Sequence, residues 1–117
     1  MGQLTSPTVE IIEPPLDTLT PVEVIQRYSK LYGTDPVLIE KVMLCESSGN
    51  PNAVNRNEPN KVLSVGIMQF QEPSFNYLEK QMGEDLDFYS AHDQIKLATW
   101  SIANGKGNNW SCYKKLR

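Results

Sequence analysis

Residues 35–57 read DPVLIEKVMLCESSGNPNAVNRN and residues 64–70 read SVGIMQF, and the reading of these two stretches decides the fold. Asp35-Pro36 predicts a helix start: the aspartate side chain caps free amides, and proline's fixed φ and missing N–H suit a first turn. Gly49 predicts the stop. Stepping about 100° per residue from Pro36 gathers Cys45, Leu38, Val42, Glu46, Ile39 and Met43 on one arc. Glu46 falls in the middle of this apolar stripe, while Glu40 and Lys41 lie opposite. A carboxylate there breaks the binary pattern of a buried helix face, and such breaks tend to mark functional sites. Two readings compete. One is a core-edge glutamate bonded to loop backbone, which helical position by itself favours. The other is a desolvated carboxyl, its pKa raised by burial, acting as a general acid near neutral pH.

Outward from this helix, Thr20-Pro21-Val22-Glu23 combines a capping box with proline at the first helical position. It predicts an earlier helix with Val24, Ile25, Tyr28, Leu31 and Tyr32 on one face and Gly33 at its end. Residues 1–19, with Pro7, Pro14 and Pro15, read as an extended tail or linker, and 20–117 as the domain. PNAVNRNEPN, rich in Asn and Pro, predicts turns. Ser64–Phe70 is short and apolar around Gly66, and periodicity does not settle its type. Glu72-Pro73-Ser74 opens a third helix carrying Phe75, Leu78 and Met82, closed by Gly83. Ser90–Asp93 predicts a second capping box, followed by a helix with Ala91, Ile95, Ala98 and Ile102 as its stripe. NNWSCYKKLR closes the chain as a short helical turn on the core. Four helices with few strand signals make the class mainly α.

Composition sets bounds. At 117 residues, 39% apolar and 21% charged, the chain suits one soluble domain with a single core. A net charge of −3 and the lack of a basic stripe argue against nucleic acid. No apolar run approaches the roughly 18 residues of a membrane span. The N-terminus lacks the basic start and apolar centre of a signal peptide, and MGQLTS matches only a loose myristoylation pattern. The single histidine, His92, reads as a surface residue in the first turn of a helix. With no CxxC, HExxH or acidic calcium loop, neither a metal site nor a cofactor is expected. Cys45 and Cys112 fit either one disulfide or two unrelated buried thiols.

ESSGNPNAVN followed by SVGIMQF resembles the signature of the lytic transglycosylases of lysozyme-like fold: E-S-x-x-N-P-x-A, a turn, then G-[LI]-M-Q-[ILF]. The likeness extends to the small invasion- and conjugation-associated members, which carry an Asn-rich loop between the blocks. It covers about Pro36 to Leu78 well and the rest loosely. It implies a mainly α, goose-type or transglycosylase-like domain with a substrate groove. It also implies that Glu46 is a single catalytic acid/base acting on peptidoglycan strands. Asn50 and Pro51 would shape the turn behind it. Ser64, Asn55 and Gln69 would bind saccharide through polar contacts; Met68 would line the groove or pack in the core. An A-Y-N-x-G block common in the family is replaced here by SIANGKGNNWSCY, so Tyr113, or failing it Tyr89, would supply the family's tyrosine hydroxyl.

The resemblance further implies an extracytoplasmic location, periplasmic, secreted or virion-associated, where a Cys45–Cys112 disulfide would persist. It allows membership of a larger secretion, conjugation or phage assembly. Two alternatives remain at this point. A goose-type-like muramidase would need an acid to activate water, for which Asp85, Asp87 and Asp93 are candidates. A degenerate domain would bind glycan without cutting it. Trp100 and Trp110 read either as sugar-stacking faces or as core aromatics.

Overall fold

The computed structural model describes residues 18–57 and 59–116. Its order is α1 (Pro21–Tyr32), α2 (Pro36–Ser47), β1 (Val54–Arg56), β2 (Leu63–Val65), α3 (Glu72–Met82), α4 (Ala91–Ala103) and α5 (Ser111–Leu116), with a 3-10 turn over Gly107–Asn109. Among the described residues the chain is mainly helical, with one small sheet. The tail expected over residues 1–19 falls outside the description except for Thr18 and Leu19, and Leu19 packs against the core.

The helix starts form as their capping chemistry dictates. Thr20 accepts from the Glu23 amide while the Glu23 carboxylate accepts from the Thr20 amide, completing the first capping box. Asp35 accepts from the Val37 amide ahead of Pro36. The second box closes only by half. Ser90 accepts from Asp93 N–H, but the Asp93 carboxylate is drawn to Asp87 N–H and to His92.

Several faces differ from the expected ones. In α1, Leu31 is exposed, and Ser29 takes the inward position beside Val24, Ile25 and Tyr28. In α2 the buried residues are Ile39, Val42, Met43 and Ser47, so the stripe is rotated and Glu46 lies at its edge, half-buried. Helix α2 also stops one residue sooner than expected: Ser48 takes the left-handed turn at φ 56°, and Gly49 follows at φ 77°. His92 is half-buried rather than a free surface residue. Its Nε2 pairs with the Tyr28 hydroxyl at 2.9 Å and its Nδ1 with Asp93 at 2.9 Å, tying α4 to α1.

The Asn-rich stretch expected to be only turns contains a strand. Val54, Asn55 and Arg56 pair antiparallel with Val65, Ser64 and Leu63. β-branched residues in both strands suit the pairing, and the intervening Asn and Pro residues form the connection. From β2 the chain turns through Gly66–Gln69 into Phe70, which bridges back to Val65.

The core beneath this hairpin holds Ile39, Val42, Ile67, Met68, Phe75, Leu78, Ile95 and Leu97. An aromatic line runs through it. Phe70 meets Phe75 at 5.1 Å and Trp110 at 5.2 Å, both edge-to-face, and Phe75 meets Phe88 at 5.2 Å. Such pairs add about 0.5–1.5 kcal/mol each beyond area burial. They fix Phe70 and Trp110, both of which reach the surface depression beside Glu46.

Cys45 and Cys112 are joined by a disulfide, with Cα atoms 6.0 Å apart and a sequence separation of 67. Closing a loop of that size restricts the unfolded chain by on the order of 4 kcal/mol in the chain-entropy model. The bond links α2 to α5 at the residue preceding Glu46.

Candidate active site

The end of α2 is held against the Gly66–Gln69 turn by Ser47. Its buried hydroxyl donates to the Ile67 carbonyl at 2.6 Å and accepts from the Gly49 amide at 3.1 Å. Ser47, the serine of the E-S-x-x-N-P block, thus locks the end of α2 to the second motif block. Removing a buried partner leaves a carbonyl unsatisfied, at about 1–3 kcal/mol. Ser47→Ala is therefore expected to lower stability by about 2 kcal/mol in chemical denaturation, and a loss under a few tenths would contradict this role.

Behind Ser47 the Asn-Pro turn forms as its chemistry requires. Asn50 N–H donates to the Ser47 carbonyl, and the Asn50 side chain accepts from Asn52 N–H at 2.9 Å. The turn delivers Ala53 to the hairpin, where its carbonyl accepts from Gly66 N–H at 2.7 Å.

Gln69 closes the same corner. Its side-chain amide donates to the carbonyls of Ala53 (3.1 Å) and Gly66 (2.9 Å), and its Oε1 accepts from Asn55 Nδ2 at 2.8 Å. Both donors of Gln69 are thus spent inside the protein, and so is one hydrogen of Asn55. These two residues, expected to contact sugar, brace the hairpin; Gln69 still borders the depression, whereas Asn55 lies on the outer strand. Of the two readings of Met68, groove lining is corrected and core packing holds. Its side chain is 0% exposed and packs in the core, out of reach of any ligand. Its backbone carries the polar work: Met68 N–H donates to Gln94 Oε1, and its carbonyl accepts from Trp110 Nε1, each at 2.9 Å.

Around Glu46 lies a depression of about 260 Å³. The hairpin side contributes Ser64 and Asn57, joined at 2.6 Å, with Asn57 also bonded to the Val62 carbonyl. Gln71 and Ser74 contribute from the start of α3. The C-terminal wall carries Asn108, Asn109, Trp110, Ser111 and Lys114. Hydroxyls, amides, the Lys114 side chain and the aromatics Phe70 and Trp110 make a lining suited to a hydroxyl-rich ligand. Among the described residues Glu46 is the single acidic side chain in that lining.

The Glu46 carboxylate accepts one hydrogen bond, from Cys112 N–H at 3.3 Å. Burial pushes its pKa above the ordinary carboxylate value, and the Cys112 amide and the charge of Lys115 pull against that shift without cancelling it. A carboxyl so placed keeps its proton at a higher pH than a solvated one and can donate it to an oxygen in the depression.

Neither expected tyrosine reaches this lining. Tyr89 is 76% exposed and borders a different depression, with Pro51, Val54 and Gln94. Tyr113 is half-buried on the core, its ring against Gly107, where an added Cβ would come within 2.4 Å. Trp110 is a buried aromatic whose edge reaches the depression, whereas Trp100 is packed against the core. Asp85, Asp87 and Asp93 also lie outside the lining; Asp87 accepts from the Tyr89 amide, and Asp93 is engaged with Asp87 and His92.

A protein-family model described as transglycosylase SLT domain matches residues 23–110. The chain belongs to that family. The matched span of this SLT domain runs from the first turn of α1 to Trp110, enclosing Glu46, the hairpin and the Gly66–Gln69 turn, and its mainly helical architecture accords with a lysozyme-like fold. No curated protein matches the sequence. Membership supports a lytic-transglycosylase-type function directed at peptidoglycan, a polymer found outside the cytoplasm. No helix among the described residues is long and apolar enough to cross a membrane.

Proposed function

We propose that this SLT domain is a peptidoglycan lytic transglycosylase that works outside the cytoplasm with Glu46 as its only acid/base. The observation that carries the reading is the half-buried Glu46 carboxyl, raised in pKa and alone among described acidic side chains in a depression of hydroxyls and amides. Protonated Glu46 gives its proton to the bridging oxygen of the β-1,4 bond between N-acetylmuramic acid and N-acetylglucosamine. The acetamido group of the substrate stabilises the developing cation, a substrate-assisted route that needs no carboxylate nucleophile. Glu46, now ionised, takes the proton of the C6 hydroxyl, and that oxygen closes a 1,6-anhydro ring on the muramic residue. The acid is restored, and no water enters the products.

Ser64, Asn57, Asn108 and Asn109 are placed to bond sugar hydroxyl and acetamido groups, and Trp110 presents an apolar edge. The position of Asp85, Asp87 and Asp93 away from the lining supports transglycosylation over hydrolysis, because an inverting hydrolase sets a second carboxylate about 6.5–9.5 Å from the first to activate water. Incubation with purified sacculi tests the reading at its coarsest level: soluble muropeptides are expected, and none would defeat it.

A further inference from the structure

Cys112 meets the Glu46 region in two ways. Its sulfur is bonded to Cys45, the residue before Glu46, and its N–H is the hydrogen-bond donor to Glu46 Oε2. It belongs to α5, which starts at Ser111, just past the span matched by the family. A helix of 6 residues has little stability of its own. Yet α5 and the residues leading into it supply Trp110, Ser111 and Lys114 to the depression and cover the carboxyl. What holds α5 to α2 covalently is the disulfide. Cys112 is buried, whereas Cys45 is an exposed residue.

We propose that the Cys45–Cys112 disulfide is a positioning device for Glu46, so that the oxidised chain is the active form and reduction turns it down. The inference rests on the function proposed above. In the reducing step a dithiol gives two electrons and two protons to the S–S bond, leaving two thiols here and a disulfide in the reductant. α5 and the residue before it are then held against the rest of the domain by non-covalent contacts, such as Trp110 Nε1 on Met68 O. As it loosens, Glu46 loses the Cys112 N–H and is wetted. Among the described residues the charged groups facing Glu46 are Lys115 and Lys114, both on α5, while the described part of the hairpin and the start of α3 present neutral Asn57, Ser64, Gln71 and Ser74. Because burial is the largest influence on the carboxyl, its rehydration outweighs the loss of the amide and of the lysine charges. The acid then ionises at lower pH and is less often protonated when substrate binds.

The test compares the oxidised full chain, the dithiothreitol-reduced chain and Cys45→Ala/Cys112→Ala in kcat, KM and pH–rate profile, with circular dichroism recording the folded fraction. Among folded molecules we expect kcat at neutral pH to fall about tenfold or more, as small misplacements of catalytic groups do, and the alkaline limb to move to lower pH. A purely structural bond would reduce the folded fraction without moving that limb. Folded, reduced protein with kcat within about twofold of the oxidised enzyme and an unmoved limb would overturn the proposal. If reduction unfolds the chain, Gly107→Ala decides instead. It keeps the disulfide but drives a Cβ into the Tyr113 ring of α5, and it should lower kcat and shift the limb in the same sense; an unshifted limb would reject the positioning role. Glu46→Gln in the oxidised chain separates the two readings. If it stays active, the proposed function fails; if it is inactive while reduced wild type is fully active, only the positioning device fails.

Discussion

Glu46→Gln is expected to abolish release of muropeptides from sacculi while leaving the helical circular dichroism unchanged. The amide keeps the shape and can still accept from Cys112 N–H, but it can neither give a proton to the glycosidic oxygen nor take one from the C6 hydroxyl. General acid–base groups contribute about 10²–10⁴-fold each, and here one residue serves both steps, so the loss should reach the upper end. The same substitution carries a stability signature of opposite sign. With its folded pKa raised by burial, Glu46 binds more protons in the native than in the unfolded chain between the ordinary value of 4.5 and the raised one. Native stability therefore falls as pH rises through that window and is fully present below it. Glutamine carries no such penalty. The variant should melt above wild type at neutral pH, with the gap closing below about pH 4, where both forms of the side chain are neutral in folded and unfolded chains. Thermal melts at both pH values measure this, and a variant less stable than wild type at neutral pH would contradict the buried-acid reading.

Gln94→Leu should be strongly destabilising although it lies outside the depression. This side chain, buried in α4, donates to the carbonyls of Val65 (3.0 Å) and Phe88 (2.8 Å) and accepts from Met68 N–H (2.9 Å). It thereby joins the hairpin, the second motif block and the loop before α4. Leucine has similar bulk and no polar atoms, so Met68 N–H and the Phe88 carbonyl lose their partner, while Val65 still accepts from Phe70. At about 1–3 kcal/mol for each orphaned group, the loss should be about 4 kcal/mol in denaturant titration. Gly66 explains why nothing else fits. It sits at φ 89°, and an added Cβ would lie 2.3 Å from the Gln94 amide. The glycine of the second block is required by backbone conformation and by the close approach of Gln94 together. A change below about 1 kcal/mol for Gln94→Leu would show the bridge to be dispensable.

What the sequence disclosed follows the range of the forces involved. Helix starts at Thr20 and Asp35 depend on side chains within three residues, and they were legible. The hairpin was not, because its pairing joins Val54 to Val65 across an Asn-rich segment whose local chemistry signals only turns. Glu46 stood out as a misplaced acid, but the wheel centred it on a stripe that packing against the second block rotates to its edge. Met68 and Gln69 show the limit of motif reading. Both belong to the recognised block, yet Met68 is core and Gln69 braces the hairpin while bordering the depression. Asn57, Asn108, Asn109 and Lys114 carried no periodic or motif signal, since lining a depression depends on which loops meet in space. The position of Gln94, polar but 1% exposed on a helix, is a break in pattern like that of Glu46 and could have been noticed by the same test.

The central claim is that one carboxylate cuts the strand without consuming water, and the mass of the released muropeptides tests it most directly. Digestion of purified peptidoglycan followed by mass spectrometry should yield 1,6-anhydromuramic ends, lighter by one water than hydrolysed ends. Products bearing free reducing muramic ends would contradict the single-acid mechanism and require a second group to activate water.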